Sequence, residues 1–210
     1  MNALPRRERE RLARRDEIVV AAEREFLKNG FEKASMDKIA AEAQFTKRTL
    51  YKYFSSKEDL FWVVVAGINR RLLEYYKDSM TNEPDFFLKL RAIATGYLKF
   101  AQQNADAFRL LNESHFYRID KDISPNYKDV VEIRNQGLQG IMELIKAGQE
   151  TNTIRPDLDP QKTAFSLAFL LMGFLYMVFE GNKVHNNVRL IDQTELINYS
   201  LDLLYSAIKK

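Results

Sequence analysis

Apolar residues in this chain recur at helical spacing from end to end. Ile18, Val19, Ala22, Phe26 and Leu27 form the first stripe, which predicts a helix from about Asp16 to Asn29 with Gly30 as its stop. Met36, Ile39, Ala40 and Ala43 form the second, behind Ser35 as N-cap. A third helix starts after Thr46. A fourth starts at "SSKEDL", where Ser55 and Glu58 have capping-box spacing, and runs through Phe61, Val64, Ile68 and Leu72 towards Tyr76. Val63–Val65 is β-branched but sits inside this periodic run, so it predicts no strand.

Beyond Pro84 the pattern continues. "DFFLKLRAIATGYLKFAQQN" predicts a fifth helix and "DAFRLLNESHF" a shorter sixth, with "RIDKDISPN" as a loop. A seventh spans about Tyr127 to Gln149. Asp159 and Pro160 open an eighth, Gln161 to Glu180, which Gly181 ends. A ninth runs from about Gln193 to Ile208. No segment alternates as a strand does, so the class is all-α. Short helices fill 16–54 and longer ones the rest. The expected division is 1–56 and 57–210, joined by a linker helix that starts at Lys57.

Residues 35–54 have helix-turn-helix spacing. Stepping about 100° per residue from Lys47 puts Leu50, Tyr53 and Phe54 on one side of the third helix. Lys47, Arg48, Tyr51 and Lys52 fall on the other, an outward arc. Thr46 caps this helix and leaves free N–H groups near its positive end, where a phosphate can bind.

Charge sharpens this picture. The chain has 210 residues and a formal charge of +3. Residues 1–60 hold 14 Lys and Arg against 11 Asp and Glu, and 61–210 hold 18 of each. The excess is confined to the N-terminal end, which points to a polyanion there. A basic helix face by itself is usually only solvated. The two-helix spacing, the charge asymmetry and the tyrosines at 51 and 53 together favour DNA. "PRRERERLARR" adds Arg6, Arg7, Arg9, Arg11, Arg14 and Arg15, either as a disordered arm reaching a groove or as a solvated extension of the first helix.

Several function classes lose support. With no cysteine there is no disulfide or thiolate site. His115 and His185 stand far apart, and no nucleophile motif or Gly-rich phosphate loop is present, so neither catalysis, a metal nor a cofactor is expected. The N-terminus carries no apolar signal stretch, and the expected location is the cytoplasm.

Residues 21–61, "AAEREFLKNGFEKASMDKIAAEAQFTKRTLYKYFSSKEDLF", resemble the N-terminal domain of TetR-type (TetR/AcrR) transcriptional regulators. The features shared are the Phe26/Gly30/Phe31 end of the first helix, Ser35-Met36, Ile39-Ala40, Ala43 and "TKRTLYKYFSSKEDL". The chain departs in the turn, where Gln44 stands for the family's usual Gly, and at Arg48, where a small residue is common. The resemblance implies that Ser35, Thr46, Lys47, Tyr51, Tyr53 and Lys57 meet mostly DNA backbone. It puts Arg48, Thr49 and Lys52 toward the bases, with Arg48 able to pair bidentately with guanine. Lys38 is as readily a solvated lysine.

The resemblance also implies a homodimer and a small effector. Residues 163–179, "TAFSLAFLLMGFLYMVF", carry no charge, and the last helix has two apolar stripes. A core needs one stripe from each, so the surplus predicts a partner subunit. The expected interface comprises Phe169, Met172, Leu175, Tyr176 and Phe179 with Ile197, Leu201, Leu204 and Ile208. A membrane span at 163–179 is the weaker reading, since it has no basic C-terminal flank. Aromatics crowd the middle helices, and Tyr97, Phe100, Phe108, Phe116 and His115 are the expected effector contacts. The expected function is a homodimeric repressor released from its operator by an amphipathic or aromatic effector. The alternatives are a ligand-independent DNA-binding or nucleoid-associated adaptor and a purely protein-binding helical module.

Overall fold

The computed structural model describes residues 5–80, 85–117, 124–180 and 193–210. Among them run nine helices: α1 Arg6–Lys33, α2 Met36–Glu42, α3 Lys47–Leu50, α4 Lys57–Met80, α5 Phe86–Gln103, α6 Ala105–Glu113, α7 Pro125–Glu150, α8 Pro160–Glu180 and α9 Gln193–Ile208. The all-α expectation holds. The segment from 118 to 123, Gly181 and His185 lie outside the described residues.

The helix starts follow local chemistry. Ser35 accepts the Lys38 N–H, Thr46 the Thr49 N–H, Asp85 the Phe87 and Leu88 N–H groups, and Asp159 the Lys162 N–H. Each satisfies a donor that a first turn leaves unpaired. α4 starts at Lys57 as expected, but its cap differs from expectation by one residue. Ser56 Oγ accepts the Asp59 N–H at 3.1 Å, and Asp59 Oδ2 accepts the Ser55 N–H at 3.1 Å. The cap is therefore Ser56 on Asp59, with the Asp59 carboxylate reaching back to the Ser55 N–H, and not Ser55 with Glu58. Asp59 wins because it is buried and its other oxygen accepts from Ser124 Oγ and Asn126 Nδ2, at 3.0 and 2.6 Å.

Gly30 interrupts α1, with φ of 71°. Only glycine takes that conformation without cost. The helix also starts ten residues earlier than the apolar pattern indicates. The basic N-terminal stretch is thus regular helix from Arg6, not a disordered arm.

The chain divides into two compact units, residues 1–70 with 105–133 and residues 71–104 with 134–210. This differs from a boundary at 56/57: α4 and α7 each run through both units. The first unit has an aromatic core. Phe26, Phe31, Phe61, Trp62, Tyr117 and Tyr127 meet at centroid distances of 4.7–6.2 Å. Such pairs add about 0.5–1.5 kcal/mol each beyond area burial. In the second unit Leu90, Ile93, Ile145, Ile154, Ala164 and Ile208 form one buried cluster from α5, α7, α8, α9 and the 151–158 connector. There α4 and α5 pack closely: a Cβ on Gly96 would lie 2.8 Å from the Tyr75 carbonyl oxygen.

The second unit corrects part of the expected dimer surface. Leu175, Ile197, Leu201 and Ile208 are buried inside the subunit. They fill its core and cannot meet a partner. The exposed apolar side chains are Phe169 at 62%, Leu170, Met177, Tyr199 at 63% and Leu203. Met172, Tyr176 and Leu204 are half-buried, and the Phe179 side chain lies outside the described residues. α8 is long and apolar enough over Pro160–Val178 to cross a membrane, by length and composition alone.

Candidate nucleic-acid interface

α2 and α3 are joined by a turn whose hydrogen bonds fix it. The Gln44 N–H donates to the Ala41 carbonyl at 3.1 Å and the Phe45 N–H to the Ala40 carbonyl at 2.9 Å. These are the two bonds of a Schellman C-cap, which needs a left-handed residue at its centre. Gln44 is that residue, with φ of 57°. A side chain there costs about 1 kcal/mol relative to glycine.

α3 itself is one turn of regular helix, Lys47–Leu50, continued by turns through Tyr53. Thr46 Oγ1 accepts the Thr49 N–H at 3.2 Å, and the two threonine hydroxyls lie 2.9 Å apart. Leu50 and Phe54 are fully buried and anchor the segment, along with half-buried Tyr53. Lys47, Arg48, Tyr51 and Lys52 are exposed and Thr49 is half-buried. The expected division into an inward and an outward side is the one observed.

The cations nearby are not equivalent. Lys47 Nζ donates to Asp37 Oδ2 at 2.7 Å, and this bond and charge raise its pKa above the ordinary lysine value. Lys38 pairs with Glu25 at 3.6 Å. The side chains of Arg48 and Lys52 have no ion pair or hydrogen bond among the described residues. Ser35 is half-buried at the start of α2.

Lys57 does not project outward as expected. Its ammonium donates to the carbonyls of Phe31 at 2.9 Å and Ala34 at 3.2 Å, with Glu32 at 3.5 Å. It also sits 4.3 Å from the centroid of the Phe31 ring. The break at Gly30 strands these carbonyls, and Lys57 satisfies them. That broken helix end is the signal from which the role of Lys57 is readable. Asp37 and Asp59 are the other residues that spacing alone did not single out.

The residues expected at an effector site are split between the two units. Phe116 is 79% exposed and His115 is exposed, so neither lines an interior pocket. Tyr97 and Phe100 are buried in the second unit, where Tyr97 stacks on Tyr76 and Phe100 meets Tyr75 edge-on. Phe108 is buried in the first unit. These three pack the interior. A groove of about 340 Å³ lies instead between α7 and α8, lined by Asn135, Leu138, Gln139, Met142, Gln161 and Phe165 among others. No cluster of metal-ligating side chains occurs among the described residues.

The family described as "Bacterial regulatory proteins, tetR family" matches residues 18–62, which contain α2, the turn and α3. Residues 18–62 therefore carry a TetR-family N-terminal domain. The relatives the chain matches are DNA-binding transcriptional regulators, which are not enzymes. Over 115 residues it is 30% identical to the HTH-type transcriptional activator FasR of Mycolicibacterium smegmatis. That match covers 55% of this chain and half of FasR's length. It is 23% identical over 178 residues to the HTH-type transcriptional regulator YhgD of Bacillus subtilis, covering 80% of this chain and 84% of YhgD. The likeness in fold spans most of the chain. FadR of Bacillus subtilis, solved in complex with stearoyl-CoA, superposes with a TM-score of 0.72 at 18% identity, covering 90% of this chain and 97% of FadR.

Proposed function

We propose that this chain is a homodimeric repressor that reads an operator through α3 and releases it when a small amphipathic effector binds. The observation that carries the DNA-reading half is the outward arc of α3. The Arg48 and Lys52 side chains stand exposed, with no partner among the described residues, beside Tyr51 and the Thr46–Thr49 pair. Arg48 offers a fork that matches guanine O6 and N7, while Lys52, Tyr51 and Thr46 suit phosphate oxygens. Lys47 can reach phosphate by giving up Asp37. Ser35, Thr49 and Tyr53 lie close by at the edges of the same surface. Lys57 is set aside from the DNA contacts, since its donors are spent on carbonyls.

A dimer is supported by the apolar face that α8 and α9 leave exposed. Phe169, Leu170 and Met177 on α8 and Tyr199 and Leu203 on α9 would each be costly to leave in water. A second copy covers such a face and doubles the operator half-sites. The effector reading draws on the fold shared with FadR, whose solved complex holds stearoyl-CoA. An acyl chain with a polar head is the corresponding ligand class for this chain. The effector binds one of two conformations better and shifts operator affinity by its differential affinity, about 1–3 kcal/mol or roughly 5–150-fold.

The test is selection of bound fragments from genomic DNA, followed by transcription from the recovered promoter with and without the protein. Repression predicts lower transcription in its presence and recovery on adding a long-chain acyl-CoA. Higher transcription would make the chain an activator, as FasR is. Operator affinity unmoved by the acyl-CoA would remove the effector reading.

A further inference from the structure

We propose that the first turns of α1 form a second DNA-contacting surface, a rigid helical overhang that lays an arginine row on phosphates flanking the site read by α3. This rests on the DNA-binding reading above and adds a site to it. Pro5 opens α1, and every residue from Arg6 to Arg14 is exposed. The first buried residue is Ile18. The helix therefore projects past its own core by about three turns, roughly 18 Å.

The arginines on this overhang are sorted by face. With steps of about 100° per residue, Arg7, Arg11, Arg14 and Arg15 fall within an arc of about 100°. That arc is the same side of α1 on which Ile18 and Ala22 are buried. The stripe that packs into the core thus continues along the overhang as cations. Glu10, Asp16 and Glu17 lie on other sides, and Glu8 lies at the arc's edge. Arg6, on another face, is already paired with Glu10 at 2.8 Å.

The row ends beside the helix-turn-helix. Arg15 sits over the ring of Phe54, 5.3 Å from its centroid, and Phe54 ends the segment that presents Arg48, Tyr51 and Lys52. From Arg15 the row runs about 12 Å to Arg7. Duplex DNA carries one negative charge per about 1.7 Å of axis, so a row of this length faces several phosphates. A solvated extension has no need to segregate its charges in this way. A helix laid along a polyanion does.

The matched test uses two double variants with the same charge change in the same helix. Arg11→Gln with Arg14→Gln strips the row, and Arg6→Gln with Arg9→Gln strips the other faces. Arg15 stays, because it packs on Phe54. The probe is the tightest 40-base-pair duplex recovered from randomised DNA, with anisotropy titrations across salt concentrations. The row variant should flatten the slope of log K against log salt by roughly 2 per bound subunit, and the other pair by well under 1. Equal losses would reduce the row to a general charge effect and overturn the proposal, as would no change in either. If Arg48→Ala and Lys52→Met also left binding unchanged, the α3 reading itself would fall.

Discussion

Replacing Lys57 by Met tests whether this residue holds the fold or the DNA. Met keeps an unbranched apolar stem of similar length, so packing on Phe31 is largely retained. What is lost is one ammonium serving the Phe31, Ala34 and Glu32 carbonyls, plus its contact with the Phe31 ring at 4.3 Å. Hydrogen bonds to a charged group contribute about 1.5–3 kcal/mol in burial, and an exposed cation–π contact about 0.5–1 kcal/mol. Lys57 is half-buried, and water can replace part of the loss at the carbonyls. A net cost of about 2 kcal/mol is expected, or a melting point lower by roughly 4–8 °C. Thermal unfolding followed by circular dichroism reads this directly. Lys52→Met is the comparison, with stability within about 0.5 kcal/mol of the parent but a salt slope flatter by about 0.9 per subunit. An unchanged melting point for Lys57→Met, together with a flattened salt slope, would refute the structural assignment and return Lys57 to the DNA surface.

Three further outcomes follow from the same geometry. Arg48→Ala should relax discrimination at one base position by about 1–3 kcal/mol in a binding-site selection, whereas a uniform loss across sequences would make Arg48 a phosphate contact. Gln44→Gly relieves about 1 kcal/mol of left-handed strain but loosens the unfolded chain by about 0.4–1 kcal/mol, so a net gain of about 0–0.6 kcal/mol in urea unfolding is expected. Loss of stability there would mean that the Gln44 side chain contributes something beyond the turn. Phe169→Lys with Tyr199→Lys should yield folded monomers by sedimentation, while Leu201→Ala should keep the dimer and cost about 2–5 kcal/mol of stability. The reverse pattern would exchange the two faces of α9.

What the sequence revealed and what it hid divide along the reach of the interactions. Ser35, Thr46 and Asp159 are legible as caps because each acts on an N–H group three residues away. Gln44 is legible as a strained position because the turn demands a left-handed residue wherever the family places glycine. By contrast, Ser55–Glu58 and Ser56–Asp59 have identical spacing. Only Ser124 and Asn126, more than sixty residues on, decide between them. The two stripes of α9 are equally periodic, and periodicity cannot say that Ile197, Leu201 and Ile208 turn inward while Tyr199 and Leu203 turn out. The aromatics fail for the same reason: Phe100 and Phe116 read alike in sequence, and tertiary packing buries one and exposes the other.

The same long-range pairing changes how the basic patch works. Residues 35–57 contain five cations, yet the fold ties Lys38 to Glu25, Lys47 to Asp37 and Lys57 to backbone carbonyls. Exposed pairs of this kind are weak, about 0–1 kcal/mol, so phosphate can compete for Lys47. Asp37 remains beside it and opposes the exchange. The cations with no such partner among the described residues, and so open to phosphate, are therefore Arg48 and Lys52, with Arg7, Arg11 and Arg14 if the α1 overhang takes part. A symmetric dimer using only α3 would bring four such charges and a salt slope near about −4. Adding the overhang brings ten and a slope near about −9. The wild-type slope alone thus separates a protein that grips DNA through its helix-turn-helix from one that also clasps the flanking backbone.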